Sequence, residues 1–526
     1  MLKISSLQFG FDASEPLFTR VNLEFAPGEF ALVCGPTGSG KSTLLRCING
    51  LAPHFTGGNL VGRIEIGAND VTGWQPHELA HLVGFVNQQP EGAFVTDTVA
   101  EELVYGMEQL GVAENEMKAR LESIAATLGL NKLLEKQLTE LSGGQQQRVA
   151  IAAALSAGQR ILVLDEPTSA LDPKAAAEII GVLRRLSRDE GITVLLAEHR
   201  LERALPSVDS MVIVHGDGSV TKQLPTDAIR EFRLVPPVVE LSSRLQISPP
   251  CLSPQDERLR QAPTPSFNPS QIEQPVEFEG APALALESIS VRYGDSVAVD
   301  AVSFSVERGQ VVALMGENGS GKTSLLWAIQ GSGVRTGGTL STPWGDTAPM
   351  TAEERLCVAT LVPQKASDLL FLPTVSEELE DSDRFAKAPA NTTANLFQRF
   401  AGRVDPSLHP RDLSAGQQLA LVLAIQLAKG AGILLLDEPT RGLDYTAKRA
   451  LAGIIAELRV QGKAVVVATH DIEFAALIAT NVVVLESGRV AKSGRPAEVF
   501  GVGGALPSEL SQALRVDGLF AMEQLS

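Results

Sequence analysis

An α/β fold built twice along one chain of 526 residues is what the sequence predicts, and three observations predict it. The first is Gly35-Pro36-Thr37-Gly38-Ser39-Gly40-Lys41-Ser42-Thr43, which follows the apolar run Phe30 to Cys34 and precedes the helical pattern Leu44 to Ile48. The second is Gly316-Glu317-Asn318-Gly319-Ser320-Gly321-Lys322-Thr323-Ser324, placed in the same way after Val311 to Met315. The third is that several further short stretches recur after each of these in one order. A strand, a Gly-rich loop and a helix gather backbone N–H groups and a helix N-terminus around one anion, so each stretch reads as a P-loop. Lys41 and Lys322 would then reach the β- and γ-phosphates of a nucleotide, with Ser42 and Thr323 placed for Mg²⁺.

Length alone suggests two to four domains, and 44% hydrophobic with 20% charged residues is a globular composition. A net charge of −18 disfavours a chain-wide preference for nucleic-acid phosphate, so no nucleic-acid partner is expected. Cys34, Cys47, Cys251 and Cys357 are scattered, without CxxC or metal-ligand spacing, as reduced and mostly buried thiols of a cytoplasmic protein would be. Met1-Leu-Lys-Ile-Ser runs straight into a strand pattern, and nothing there resembles a signal peptide. The apolar stretch Leu419 to Leu436 is interrupted by Gln426, Lys429, Gly430 and Gly432 and ends at Asp437-Glu438, so it reads as a helix followed by a buried strand rather than a membrane span.

In chain order, residues 2–9 and 21–25 alternate apolar and polar as half-exposed strands do. Gly62 to Ile66 and Leu82 to Val86 read as short strands, the latter leading to Gln88-Gln-Pro90. From about Val99 to Leu155 apolar residues recur at three- and four-residue spacing, a helical region that contains Leu141-Ser142-Gly-Gly144-Gln145. Ile161 to Pro167 reads as a buried parallel strand ending in Asp165 and Glu166, and Ile192 to His199 as another ending in a histidine. Ten of the thirty prolines fall in residues 236–282, among Ser and Gln, which predicts an extended, mobile linker. Beyond it the order repeats: Tyr293 answers Phe11, Lys322 answers Lys41, Gln364 answers Gln88, Ser414 answers Ser142, Asp437 answers Asp165 and His470 answers His199, at offsets of 282, 281, 276, 272, 272 and 271 residues. The expected organisation is a first domain over 1–235, the linker over 236–282, a second domain over 283–500 and an amphipathic C-terminal tail over 501–526.

P-loop, Gln after a strand, Leu-Ser-Gly-Gly-Gln, a strand ending Asp-Glu-Pro-Thr, Ser-Ala-Leu-Asp172 and a strand ending in His: this order resembles the ATP-binding cassette (ABC) ATPases, over both halves apart from linker and tail. The signature pentapeptide just upstream of the two carboxylates is far more specific than the P-loop. By resemblance each half would have a mainly parallel sheet core, an antiparallel β subdomain and a helical subdomain. Hydrolysing ATP requires the γ-phosphate charge to be stabilised, Mg²⁺ to bridge the phosphates and a water to be oriented. The family's roles carry over as follows. Lys41 and Lys322 clamp phosphate; Ser42, Thr323, Asp165, Asp437, Gln88 and Gln364 bear on the metal; Glu166 and Glu438 polarise water; His199 and His470 contact the γ-phosphate; Phe11 and Tyr293 stack on adenine. The signature of one half, Ser142 and Gly144 or Ser414 and Gly416, would complete the P-loop site of the other, head to tail. The second signature has Ala415 where the family usually has Gly, and its added Cβ, by restricting the backbone or crowding phosphate, predicts a weaker first site.

Among branches of the family, Ala-Glu198-His199-Arg, the Val-Asn-Gln88-Gln-Pro-Glu91 loop followed by Thr98-Val-Ala-Glu-Glu102, and the signature running on to Arg148 are similar to the energy-coupling-factor importers of vitamins or transition-metal ions. That resemblance implies a transmembrane coupling subunit docking after Gln88 and Gln364, a small substrate-binding membrane subunit, and a place at the cytoplasmic face of the cell membrane. The alternatives are a fused sugar-importer ATPase, disfavoured by two complete catalytic sets, and a soluble pair acting on ribosomes or nucleic acid, disfavoured by the absence of zinc or iron–sulfur cysteines. Glu166 and Glu438 together disfavour a non-hydrolysing structural dimer.

Overall fold

A computed structural model describes residues 1–11, 16–232, 235–268 and 280–525, and the chain divides into two compact units, Met1–Pro236 and Pro237–Ser526. In the first, a six-stranded sheet runs in the order Val220–Gln223, Ser210–Val214, Phe30–Cys34, Thr193–Ala197, Ile161–Asp165, Val83–Val86. All neighbours are parallel except the first pair. The P-loop strand, the carboxylate strand and the histidine strand are buried along their whole length. That is why they read as unbroken apolar runs: helices or sheets cover both faces, leaving no solvated side to alternate with. The register pairs Asp165 with Ala197, so the carboxylate strand and the histidine strand end side by side.

An antiparallel sheet, in the order Phe18–Phe25, Leu2–Gly10, Asn59–Ile66, Asn69–Asp70, packs its inward residues Leu2, Ile4, Leu7, Phe9 and Phe25 with Leu44, Leu45 and Ile48 of the P-loop helix Lys41–Ile48. Its strands alternate because only one face is buried. Helices Val99–Gln109, Glu114–Leu128 and Gly143–Leu155 supply the helical part expected between Val99 and Leu155.

The second unit repeats the design. Its six-stranded sheet has the matching order Arg489–Gly494, Asn481–Glu486, Val311–Met315, Ala464–Ala468, Ile433–Asp437, Ala359–Val362, and its antiparallel sheet keeps three strands. The stretch Leu419 to Leu436 divides as expected, into the helix Ala415–Ala428 and the buried strand Ile433–Asp437. Among the described residues no helix is long and apolar enough to cross a membrane.

The expectation of an extended linker fails over its first half. Pro237–Arg244 and Glu257–Gln261 are helices, with Val238, Val239, Leu241, Cys251 and Leu259 buried. Proline is tolerated in the first turn of a helix, where its missing N–H has no partner to lose, so proline count hid a short apolar stripe. Residues 269–279 lie outside the described residues. The stripe packs on the tail helix Glu509–Leu514: Val238 N donates to Glu509 Oε2 at 3.3 Å, Arg244 Nη1 to the Leu525 carbonyl at 3.2 Å, and Asn268 N to the Gln524 carbonyl at 2.8 Å. Leu510, Leu519, Phe520 and Leu525 are buried, so the tail is a folded part of this unit.

Candidate active sites

Each P-loop leaves a buried strand and enters a helix, and glycine is required at its first position for a concrete reason. A Cβ on Gly35 (φ 150°) would lie 2.2 Å from the Val214 carbonyl oxygen, and one on Gly316 (φ 149°) 2.4 Å from that of Leu485. The loop then folds back on its lysine. Lys41 Nζ donates to the carbonyls of Gly35 (2.9 Å) and Pro36 (3.0 Å), and Lys322 Nζ to those of Gly316 (2.8 Å) and Glu317 (3.1 Å). Both ammonium groups are thus held over the cradle by weak carbonyl partners that an anion can displace.

The first half gathers its predicted residues closely. Ser42 Oγ donates to Asp165 Oδ1 at 2.9 Å, Gln88 Nε2 to Glu166 Oε2 at 3.1 Å and to Ser169 Oγ at 3.4 Å, and His199 Nε2 lies 2.9 Å from Glu166 Oε1. In the second half His470 Nδ1 is 2.8 Å from Glu438 Oε2, and Lys322 Nζ is 3.8 Å from Glu438 Oε1. Gln364, by contrast, is exposed, and among the described residues it makes no hydrogen bond to Glu438. Glu166 and Glu438 have φ of 50° and 48°, the left-handed region that non-glycine residues rarely enter. Their amides donate to Ala197 O (3.0 Å) and Ala468 O (2.8 Å), which fixes that turn against the histidine strand.

Burial pushes the Asp165 carboxyl above its ordinary range against the hydrogen bond from Ser42, and pushes Asp437 up to about 6 against that from Thr323. Asp437 Oδ1 is buried without a hydrogen-bond partner. A desolvated carboxylate oxygen beside a hydroxyl and a phosphate cradle is a hard oxygen donor set, and it fits Mg²⁺.

Ser142 and Ser414 cap the helices Gly143–Leu155 and Ala415–Ala428 through reciprocal bonds: Gln145 N to Ser142 Oγ (3.4 Å) and Ser142 N to Gln145 Oε1 (3.0 Å), and likewise Gln417 N to Ser414 Oγ (3.3 Å) and Ser414 N to Gln417 Oε1 (3.0 Å). The signature is therefore also a capping box that presents a helix N-terminus. Ala415 is the first residue of its helix, and at the matching Gly143, whose φ is not positive, a Cβ would find its nearest neighbour, Leu171 Cδ2, at 3.5 Å. The backbone-freedom argument against Ala415 therefore falls, because a helical N1 position suits any L-residue. Only crowding of the phosphate by the methyl group remains. Gly144 and Gly416 sit one residue further, with Ala175 and Ala447 as the neighbours a Cβ would meet at 3.2 and 3.5 Å. Phe11 is 60% and Tyr293 50% exposed at the ends of their strands, Phe11 edge-on to Phe9.

Sequence reasoning gave no role to Glu198, Thr168 and Arg203, which the fold brings together behind Glu166. Thr168 N and Oγ1 donate to Glu198 Oε1 at 3.0 and 2.6 Å, and Arg203 Nη1 to the Thr168 carbonyl at 2.6 Å. The available signal was a carboxylate at the end of a strand apolar on both faces. It also passed over Glu102 and Glu378. Glu102 Oε2 accepts from Val95 N and Thr96 N, both at 3.0 Å, and Glu378 Oε1 accepts from Leu372 N at 2.7 Å and from Phe371 N.

The ABC transporter family profile matches residues 18–169 and again 299–441. A Streptomyces avermitilis protein, provisionally named an ABC transporter ATP-binding protein, is 41% identical over 536 residues, spanning 95% of this chain and 94% of the relative. A Bacillus subtilis protein, provisionally named the HMP/thiamine import ATP-binding protein YkoD, is 30% identical over 95% of this chain and 92% of its own length. The solved complex of archaeal ribosomal stalk protein aP1 with archaeal ribosome recycling factor aABCE1 superposes with a TM-score of 0.59 at 22% identity, covering 91% of this chain and 88% of that one, a likeness of fold. With two matched regions, full-length relatives and P-loops, signatures and paired carboxylates at repeated positions, this chain belongs to the ABC transporter family and carries two of its ATP-hydrolysing domains in tandem.

Proposed function

We propose that this chain is the ATP-hydrolysing subunit of an energy-coupling-factor type importer that takes up a vitamin or a transition-metal ion. The observation that carries the reading is the similarity to the Bacillus HMP/thiamine import ATP-binding protein along nearly the whole of both chains. The transmembrane coupling subunit docks on the loops after Gln88 and Gln364, a small membrane subunit binds the cargo, and the chain sits at the cytoplasmic face of the membrane. In support, those loops expose Val95 (62%) and Phe371 (81%) at matching positions, each beside amides held by a buried glutamate.

Within each half, the lysine clamps the β- and γ-phosphates, the P-loop amides cradle them, and Glu166 or Glu438 polarises the attacking water, aided by Gln88 or Gln364 and by His199 or His470. Ser42, Asp165 and Gln88, or Thr323, Asp437 and Gln364, would hold Mg²⁺, which would supply positive charge to the phosphates. Phe11 and Tyr293 stack on adenine. The two halves pair head to tail, so that Ser414 and Gly416 complete the first site and Ser142 and Gly144 the second.

The deciding experiment is affinity capture of the tagged chain from detergent-solubilised membranes of its host. Recovery of a multi-span membrane protein with a small membrane subunit supports the importer. Recovery of ribosomes or nucleic-acid enzymes, with no membrane protein, overturns the transport reading and leaves the ATPase standing.

A further inference from the structure

Glu166 holds a backbone conformation (φ 50°) that a non-glycine residue keeps only when its surroundings enforce it. On its N-terminal side, the bond from Glu166 N to the Ala197 carbonyl does so. On its C-terminal side the enforcement comes from a carboxylate. Glu198, 2% exposed, accepts both the amide and the hydroxyl of Thr168, which is fully buried. Arg203 closes the arrangement: Nη1 donates to the Thr168 carbonyl (2.6 Å) and to Thr168 Oγ1 (2.9 Å), and Nη2 to the Leu171 carbonyl (3.3 Å). Ser169 N returns to the Glu166 carbonyl at 3.2 Å, and Ser169 Oγ accepts from Gln88. The turn from Glu166 to Leu171 is therefore tied at Glu166 and Thr168 to the strand end that carries His199, and at Thr168 and Leu171 to Arg203 on the helix that follows.

The second half holds Glu438 in the same conformation (φ 48°) with no carboxylate at the position that matches Glu198. Thr469 stands where Glu198 stands in the first half, and its Oγ1 accepts from Asp471 N at 3.0 Å. Asp471, on the far side of His470, has Oδ2 2.7 Å from Lys448 Nζ, both side chains being nearly buried, with Lys448 on the helix Tyr445–Val460. The carboxylate has moved across the histidine, and its cationic partner has moved from the helix after the histidine strand to the helix after the carboxylate turn.

The geometry points to Glu198, with Arg203, as a positioning residue of the first site: it holds the turn that aims Glu166 at the attacking water. Glu198 touches neither phosphate nor metal in this arrangement, and it acts through Thr168. The inference rests on ATP hydrolysis and is independent of the transport reading.

The test uses the full-length chain with Glu198→Ala, Glu198→Gln and Thr168→Val, reading steady-state ATP turnover and amide hydrogen exchange of peptides covering 165–172 and 437–444. Gln keeps the acceptor oxygen, Ala removes the acceptor of both bonds, and Val deletes the hydroxyl bond while leaving that of the amide. Support consists of exchange over 165–172 rising about tenfold or more in Glu198→Ala and Thr168→Val, the scale of a lost bond to a charged acceptor. It also requires little rise in Glu198→Gln, no change over 437–444, and a kcat at about half or less of the parent with KM for ATP within about twofold, as expected for a displaced base. Unchanged exchange over 165–172 overturns the proposal. So does a loosened turn with unchanged kcat, which makes the contact purely structural, or a loosening shared equally by both peptides. If Glu198→Ala does not fold, Thr168→Val and Glu198→Gln decide by the same criteria.

Discussion

At the scale of single residues, the two glutamates that end the central strands combine strain with electrostatics. Each is held in the left-handed region with a histidine nitrogen within 3 Å, and each follows an aspartate whose carboxyl burial has raised. Replacing Glu166 and Glu438 together by Gln keeps the shape of the site and removes the base. Steady-state turnover should fall by about a hundredfold or more, with ATP binding retained in a filter or fluorescence assay. The cysteines give a second expectation. Burial pushes the Cys34 and Cys47 thiols up to about 12 and raises that of Cys251, whereas Cys357 is exposed. A chromogenic disulfide reagent at pH 8 should therefore titrate one thiol quickly in the native protein and all four after denaturation, because only the thiolate reacts and only one thiol is accessible. Residues such as Lys41, Asp165, Glu166 and His199 were legible in the sequence because their chemistry needs fixed neighbours at fixed spacing. Glu198 was not, because its partner Thr168 is thirty residues away, and only the pairing of two strand ends brings them together.

At the scale of elements, the recurring device is a buried glutamate one turn into a helix that ties down the preceding loop. Thr98 and Thr374 cap the helices Val99–Gln109 and Val375–Ala386, and Glu102 and Glu378, four residues on, reach back to two successive amides of the loop. Glu102→Ala or Glu378→Ala leaves two amides without that acceptor, at roughly 2 kcal/mol of local stability. Basal ATP turnover of the purified chain should stay within about twofold, because neither residue touches the phosphate site, while recovery of membrane partners in the capture experiment should drop several-fold. The sequence carried this element as a helix start, Thr98-Val-Ala-Glu-Glu102. The glutamate's grip on the loop was invisible there, because a capping box and a loop clamp are written with the same letters.

At the scale of the whole molecule, the duplication was the most legible feature, since offsets drifting only from 282 to 271 residues admit one explanation. The least legible was the stretch from 237 to 268, where proline and serine composition concealed an apolar stripe that pairs with the far end of the chain. Phe520 anchors the tail to the core of the second domain, fully buried against Phe500 at a centroid separation of 6.4 Å. Phe520→Ala should cost about 3–5 kcal/mol, read as a lower melting transition of the second domain, with the first domain's transition unchanged. Because that domain joins Arg244 to a residue 281 positions later, its fold cannot close until Leu525 has been made. The first domain has all of its residues once Pro236 has left the synthesising ribosome, whereas the second must wait for Gln524 and Leu525 before Asn268 and Arg244 find their partners. A polypeptide released early therefore yields one finished domain and one with an open seam, and quality-control proteases would find that seam first.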